Sequence, residues 1–200
     1  MKKLVSLALA AVLAVSAVGC GSSSDSSSST ADSAQSTEAA ADGATFKIGG
    51  IGPITGGAAI YGQAVMNAAQ MAVDKINADG GINGYQVEFR FEDDEHDAEK
   101  SVNAYNTLKD WGMQMLMGTV TSTPCTAVSA KTEEDNMFQL TPSGSAVESI
   151  APANAFRVCF SDPNQGTASA QYIGENKLAS KVAVIYNSSD VYSSGIYQTF

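Results

Sequence analysis

Apolar positions along the chain recur with two alternating periods. Phe46-Lys-Ile-Gly-Gly-Ile51 is a short apolar run that ends at Gly52-Pro53, and it predicts a strand. Beyond it, Tyr61, Val65, Ala68, Ala69, Ala72, Val73 and Ile76 fall at the i, i+3, i+4 spacing of one helix face. Asn77-Ala-Asp-Gly80-Gly81 should stop that helix, with Gly80 suited to the left-handed position after the cap and Ile82 to the capping contact. The period then changes to two. Tyr85, Val87, Phe89 and Phe91 alternate with Gln86, Glu88 and Arg90, the mark of a strand covered on one face.

The same rhythm repeats downstream. Asp97 is a suitable N-cap for a helix that turns Val102, Tyr105 and Leu108 inward and ends at Gly112. Met113–Met117 predicts a strand closing at Gly118, and Pro124 suits the first position of a helix running to about Asp135. Further strands are expected at Met137–Leu140, Phe156–Phe160 and Lys181–Tyr186, the last of them buried. A short helical piece separates the first two, and Ser161-Asp162-Pro163 starts a helix reaching about Leu178. After the polar loop Asn187–Tyr192 another helix begins. Strands alternating with helices predict an α/β fold with a doubly wound parallel sheet and right-handed crossovers.

The first residues do not belong to this rhythm. Met1-Lys-Lys3 precedes an apolar run from Leu4 to Val18, which is too short for the roughly 20 residues of a membrane span and reads as a secretory signal. It ends in Ser16-Ala-Val-Gly-Cys20, similar to a lipoprotein-processing box that would lipidate Cys20, although Ala17 stands where such boxes usually carry Leu. The Ser-rich stretch from Gly21 to Gly43 has too little apolar surface to offset its ordering entropy, so residues 20–43 are expected to be a flexible tether. Its reach would be roughly 25 Å. The expectation is a soluble domain held by lipid at the outer face of a cell membrane.

The 200 residues carry a formal net charge of −10, and no basic patch is available to neutralise phosphates, which excludes nucleic acid as a partner. Seven carboxylates and one Arg lie between Glu88 and Glu99. The cluster Glu92–Asp97 lacks the order of a calcium loop, and His96 is the only histidine, so the expected reading is a solvated acidic turn with no metal. Cys125 and Cys159 lie within the globular part, and their spacing does not require a disulfide.

The loop Gly50-Ile-Gly-Pro-Ile-Thr-Gly56 looks at first like a phosphate cradle. A dinucleotide site needs a third glycine where Thr55 stands, and Pro53 removes a useful N–H. No Gly-Lys-Ser/Thr and no G-x-S-x-G occur, so no cofactor and no hydrolytic nucleophile is expected. The remaining candidates are hydroxyl-bearing turns at the carboxyl ends of strands, where such sheets bind ligands. They are Pro53–Tyr61, the run Thr121, Ser122, Thr123, and the run Ser143, Gly144, Ser145. Hydroxyls beside free helix N–H groups favour a carboxylate, and the lack of Lys or Arg among them suits a zwitterion better than a phosphate ester. The alternative is that these residues only cap helices.

The run Gly52-Pro-Ile-Thr-Gly56, Tyr61-Gly62, the helix ending Asp74-Lys-Ile-Asn-Ala-Asp-Gly-Gly-Ile-Asn-Gly84, and Glu92-Asp-Asp94 resemble the branched-chain amino-acid-binding proteins of ABC importers. So do Thr121-Ser-Thr123, Leu140-Thr-Pro-Ser-Gly-Ser145, Arg157 with Asp162 and Gln165-Gly166, and Ile185–Tyr192. The resemblance implies the type I periplasmic-binding-protein fold, two lobes on a hinge, with no enzymatic activity and no cofactor. It implies that Ser122, Ser143 and Ser145 hold the ligand's carboxylate and ammonium, that Tyr61 and Tyr192 line the cleft from opposite lobes, and that Asp162 lies near the first crossover. Some relatives carry a cysteine pair near the positions of His96 and Thr121, and this chain does not.

By that resemblance, residues 44–161 form the first lobe and 162–200 begin a second, incomplete one. The chain then reads as an N-terminal fragment, with the acid that usually pairs the ligand ammonium lying beyond Phe200. The implied protein is a monomer that delivers a small amino acid, most readily a branched-chain or aliphatic one, to an ABC permease. A ligand-sensing receptor domain of the same fold, and a binding protein for an amide or urea, remain open alternatives.

Overall fold

The computed structural model describes residues 43–200. The secretory signal, the lipidation at Cys20 and the tether up to Asp42 lie outside the described residues. Five parallel strands form one sheet: β1 (Thr45–Gly52), β2 (Gln86–Asp93), β3 (Met115–Gly118), β4 (Gln139–Thr141) and β5 (Ala155–Arg157). Their spatial order is β2-β1-β3-β4-β5, so the direction of winding reverses between β1 and β3. A crevice opens at such a reversal, outside the carboxyl ends of the two strands.

The helices are α1 (Ala59–Ala78), α2 (Ala98–Asp110), α3 (Ser122–Glu134), α4 (Asp162–Glu175) and α5 (Val191–Thr199), with a 3-10 turn at Val147–Ile150. The core between sheet and helices gathers Ile51, Ala104, Tyr105, Leu108, Met113, Leu116 and Val128. Tyr105 is fully buried, and its hydroxyl reaches out of the core to donate to Asp135 at 2.8 Å.

β1 can pack tightly on both faces because of its glycines. A Cβ on Gly49 would lie 2.6 Å from the Met113 sulfur, and one on Gly50 would lie 2.5 Å from the Phe91 ring. The helix stop appears at the expected glycines: Gly80, at φ +102°, donates to the Asn77 carbonyl, and Gly81 to that of Ile76. Asn77 then pins α1 to β2, its side chain accepting from Val87 N at 2.7 Å and donating to Val87 O at 2.9 Å. Asp97 caps α2 by accepting from Lys100 N at 2.9 Å.

Four expectations need correction. The inward face of α1 runs through Gly62, Val65, Met66, Ala69, Val73 and Ile76, while Tyr61, Ala68 and Ala72 face outward. Gly62 sets that rotation, since its backbone lies directly on Pro53. α3 begins at Ser122 and not at Pro124, which occupies the third helical position. The first helical turn has no intrahelical acceptor for its N–H groups, so a proline costs little anywhere within it. The strand expected at Phe156–Phe160 pairs only at Ala155–Arg157. Lys181–Tyr186 is not a buried strand: it has no regular secondary structure and pairs with no strand among the described residues, and Val182, Val184 and Ile185 are exposed. Strand propensity expresses packing against neighbouring strands. Among the described residues no strand pairs with this segment, whose Tyr186 stacks instead on Tyr197 of α5 with ring centroids 3.9 Å apart.

Candidate functional site

A cavity of about 310 Å³ opens at the carboxyl end of the sheet. Tyr61, His96, Val120, Thr121, Ser122, Ser143, Ser145, Cys159, Phe160, Asp190 and Tyr192 line it. Residues singled out in the sequence are thereby brought together: Tyr61 from the start of α1, Thr121 and Ser122 from the N-cap and first turn of α3, Ser143 and Ser145 from the turn after β4, and Tyr192 from α5.

The polar floor is built from bonds between the two turns. Ser122 Oγ accepts from Ser145 N and Ala146 N, each at 3.2 Å, which leaves the Ser122 hydroxyl proton free. Ser143 Oγ donates to Val120 O at 2.5 Å and keeps its lone pairs. Thr141 Oγ1 donates to Thr119 O at 2.6 Å and accepts from Gly144 N at 2.8 Å, so the turn is tied to both neighbouring segments. The Ser145 carbonyl accepts from Arg157 Nη1 at 2.8 Å and from Asp162 N at 3.0 Å.

The N-terminus of α3 is unusually open. Thr121 is its N-cap but makes no side-chain capping bond. Its hydroxyl is engaged by His96 Nδ1 at 2.9 Å instead. The N–H groups of Ser122 and Thr123, in the first turn, therefore point out of the helix without a cap, beside the Ser122 hydroxyl. Such an end carries partial positive charge and receives an anionic group. Among the described residues, no Lys or Arg lines the cavity. The chemistry on offer is a carboxylate seat at the helix end, lone-pair acceptors from Ser143, and walls from two tyrosines, Phe160 and Val120.

Three of the singled-out residues do not line this cavity. The Thr123 side chain turns toward Asp190, with 3.5 Å between Oγ1 and Oδ1, so only its backbone lies at the helix end. Gly144 is packed beneath the turn, where a Cβ would stand 2.8 Å from Thr141 Oγ1 and 2.9 Å from the Cys125 sulfur. Asp162 is 1% exposed and lines a neighbouring cavity of about 410 Å³, shared with Glu148, Ser188, Asp190, Ser194 and Thr199. Burial raises its pKa, and one carboxylate oxygen has no partner among the described residues.

Sequence reasoning missed His96, Val120, Cys159, Phe160 and Asp190 as lining residues. His96 sits at φ +62° in the turn after β2, and only the fold brings that turn to the N-cap of α3. Asp190 could have been read as a cap, since it accepts from Ser193 N at 2.9 Å. The Cys125 and Cys159 thiols are both free, and burial raises the pKa of each.

The acidic turn is less solvated than its composition implies. Asp94 is fully buried and accepts from His96 N at 2.9 Å, and desolvation raises its pKa to about 6. Burial also acts to raise the pKa of Asp93, but hydrogen bonds from the Thr55 hydroxyl and from the Glu95, Ile54 and Thr55 N–H groups outweigh it, and the net shift is downward.

Residues 45–199 match the family model described as periplasmic binding protein. The chain belongs to that family. The chain is 34% identical over 164 residues to the Leu/Ile/Val-binding protein homolog 3 of Brucella melitensis, covering 81% of this chain and 44% of that protein. It is 32% identical over 159 residues to a leucine-, isoleucine-, valine-, threonine- and alanine-binding protein of Pseudomonas aeruginosa, covering 78% and 42% of the two chains. The isoleucine complex of LivJ, the branched-chain amino acid transporter substrate-binding protein of Streptococcus pneumoniae, superposes with a TM-score of 0.73 at 29% identity, covering 78% and 45%. The chain thus spans under half the length of these relatives. Its architecture is the type I periplasmic-binding-protein fold; the Brucella and Pseudomonas relatives are named for the amino acids they bind, and the Streptococcus protein as the substrate-binding protein of a transporter.

Proposed function

We propose that this chain forms ligand-binding structure of an extracytoplasmic solute-binding lipoprotein of an ABC importer, and that its ligand is a small amino acid, branched-chain or aliphatic. The observation that carries this reading is the meeting of the uncapped α3 N-terminus, the Ser122 hydroxyl and the Ser143 and Ser145 turn in one cavity. A carboxylate seat next to hydroxyl acceptors, without Lys or Arg in the lining, suits the two charges of a zwitterion. Tyr61, Val120, Phe160 and Tyr192 offer apolar walls to its side chain. The names of the Brucella and Pseudomonas relatives support the same ligand class.

In this reading residues 44–161 are the first lobe and 162–200 begin the second. The cavity draws Tyr61, Ser122, Ser143 and Ser145 from the first and Asp190 and Tyr192 from the second, the arrangement that hinge closure requires. A ligand touching both lobes only when closed shifts the equilibrium toward the closed form, which the permease then receives. Lipidation at Cys20 and the tether 20–43 hold the protein, as a monomer, at the membrane's outer face.

The test is calorimetry and thermal unfolding of the full-length protein with leucine, isoleucine and valine. A ligand that binds only the folded state raises the midpoint. Ser145→Ala, which removes one hydroxyl of the cavity, should weaken binding about tenfold. The absence of any shift with all the common amino acids would overturn the ligand class, and unchanged affinity in Ser145→Ala would overturn the site.

A further inference from the structure

The Gly-rich loop after β1 and the acidic end of β2 are far apart in the sequence. In the fold they meet. Asp93 Oδ1 accepts from Ile54 N at 2.9 Å, from Glu95 N at 3.0 Å and from Thr55 N at 3.4 Å. Its other oxygen accepts from the Thr55 hydroxyl. Other contacts hold only the ends of this loop: Pro53 is buried on the Gly62 backbone, and Ala59 N donates to Gly56 O at 3.3 Å. Thr55, Gly56 and Gly57 are exposed, and a Cβ on either glycine would meet nothing within 4 Å. Gln63 Nε2 adds one bond to the Ile54 carbonyl at 2.8 Å. The loop runs directly into the first turn of α1, where Tyr61 N donates to Ala58 O at 3.1 Å and the Tyr61 ring forms a wall of the cavity.

We propose that Asp93 is a positioning residue of the ligand cavity: its carboxylate fixes the loop Pro53–Gly57 and thereby sets where Tyr61 meets the ligand. The proposal rests on the reading of the cavity as the ligand site. Asp93 touches no ligand itself and acts through Tyr61. Freed of the carboxylate, a loop with two open glycines regains backbone entropy, which ligand binding must then remove again. The cost falls on affinity, because Thr55, Gly56 and Gly57 are exposed and the two glycines pack against nothing.

A merely structural Asp93 would lower stability and affinity independently of Tyr61, so the test is a double-mutant cycle in the full-length protein, read by leucine calorimetry. Asp93→Ala should weaken binding about tenfold in the wild-type background and have no further effect in Tyr61→Ala. Asp93→Asn, which keeps the Oδ1 acceptor, should recover most of the affinity. Thr55→Val removes only the hydroxyl donor and keeps the experiment decisive if Asp93→Ala does not fold. It should give a smaller loss that also vanishes in Tyr61→Ala. Equal losses in both backgrounds, or unchanged affinity, would overturn the assignment while leaving the amino-acid reading intact. Wild-type protein that binds no amino acid would overturn both.

Discussion

The Ser122 hydroxyl accepts the backbone N–H of Ser145 across the floor of the cavity at 3.2 Å, joining the start of α3 to the turn after β4. The same oxygen accepts from Ala146 N, and Ser122 is 3% exposed. Ser122→Ala leaves two buried N–H groups without an acceptor. It should cost about 1–3 kcal/mol of stability, in addition to weakening ligand binding. Thermal unfolding without ligand isolates the first effect, and an unchanged midpoint would mean that the two turns are held by other contacts.

Gly62 tests how α1 is seated. By helix propensity alone, Gly62→Ala should stabilise the protein by about 1 kcal/mol. A Cβ there would stand 1.9 Å from the Pro53 carbonyl oxygen, and backbone cannot yield as a side-chain tip can. Overpacking of this kind costs about 1–3 kcal/mol, so the steric term should win and denaturant unfolding should show net destabilisation. A stabilised variant would mean that the loop moves away freely.

Asp94 predicts a pH dependence. Its pKa is raised in the folded state to about 6 from the ordinary value of 3.8, chiefly by desolvation, so the folded protein binds its proton more tightly than the unfolded chain does. The stability contributed by the protonated carboxyl is therefore fully present below about pH 3.8 and is lost as pH rises to about 6. The amplitude is on the order of 2 to 3 kcal/mol. Asp94→Asn should flatten this part of a stability-versus-pH curve measured by urea unfolding. An identical curve for the variant would show that another group sets it.

Tyr105 separates packing from hydrogen bonding. Tyr105→Phe keeps the buried ring and loses the bond to Asp135, which retains Lys109 as a partner, so it should cost about 1 kcal/mol. Tyr105→Ala empties the centre of the core and should cost about 3–5 kcal/mol. Chemical denaturation of both variants gives the ratio, and comparable losses would assign the stabilisation to the hydroxyl.

Much of this architecture was legible from local chemistry. The stop at Gly80-Gly81, the cap at Asp97 and the one-sided alternation through Val87 depend on residues a few positions apart, and they stand where the pattern puts them. The hydroxyl turns were legible because a parallel sheet sends the ends of its strands to one edge. The rotation of α1 was not, since alanines satisfy either face and the close approach of Gly62 to Pro53 is a tertiary fact. Nor was the unpaired course of Lys181–Tyr186, whose apolar composition carries no information about whether a neighbouring strand is there.

By itself, the sequence determined the alternation of strands and helices as far as α4, helix stops such as Gly80-Gly81 and caps such as Asp97, and the hydroxyl-bearing turns offered at the strand ends. These depend on periodicity, capping and turn geometry, which act within a few residues. Only the tertiary structure decided which of those turns share a cavity. It joined His96 to Thr121, 25 positions apart, and so left the end of α3 uncapped. It joined Asp93 to Ile54, 39 positions apart, and turned an apparently solvated acid into the anchor of the loop that carries Tyr61. Such pairings follow from strand order and register, and strand order is set by packing across the whole sheet.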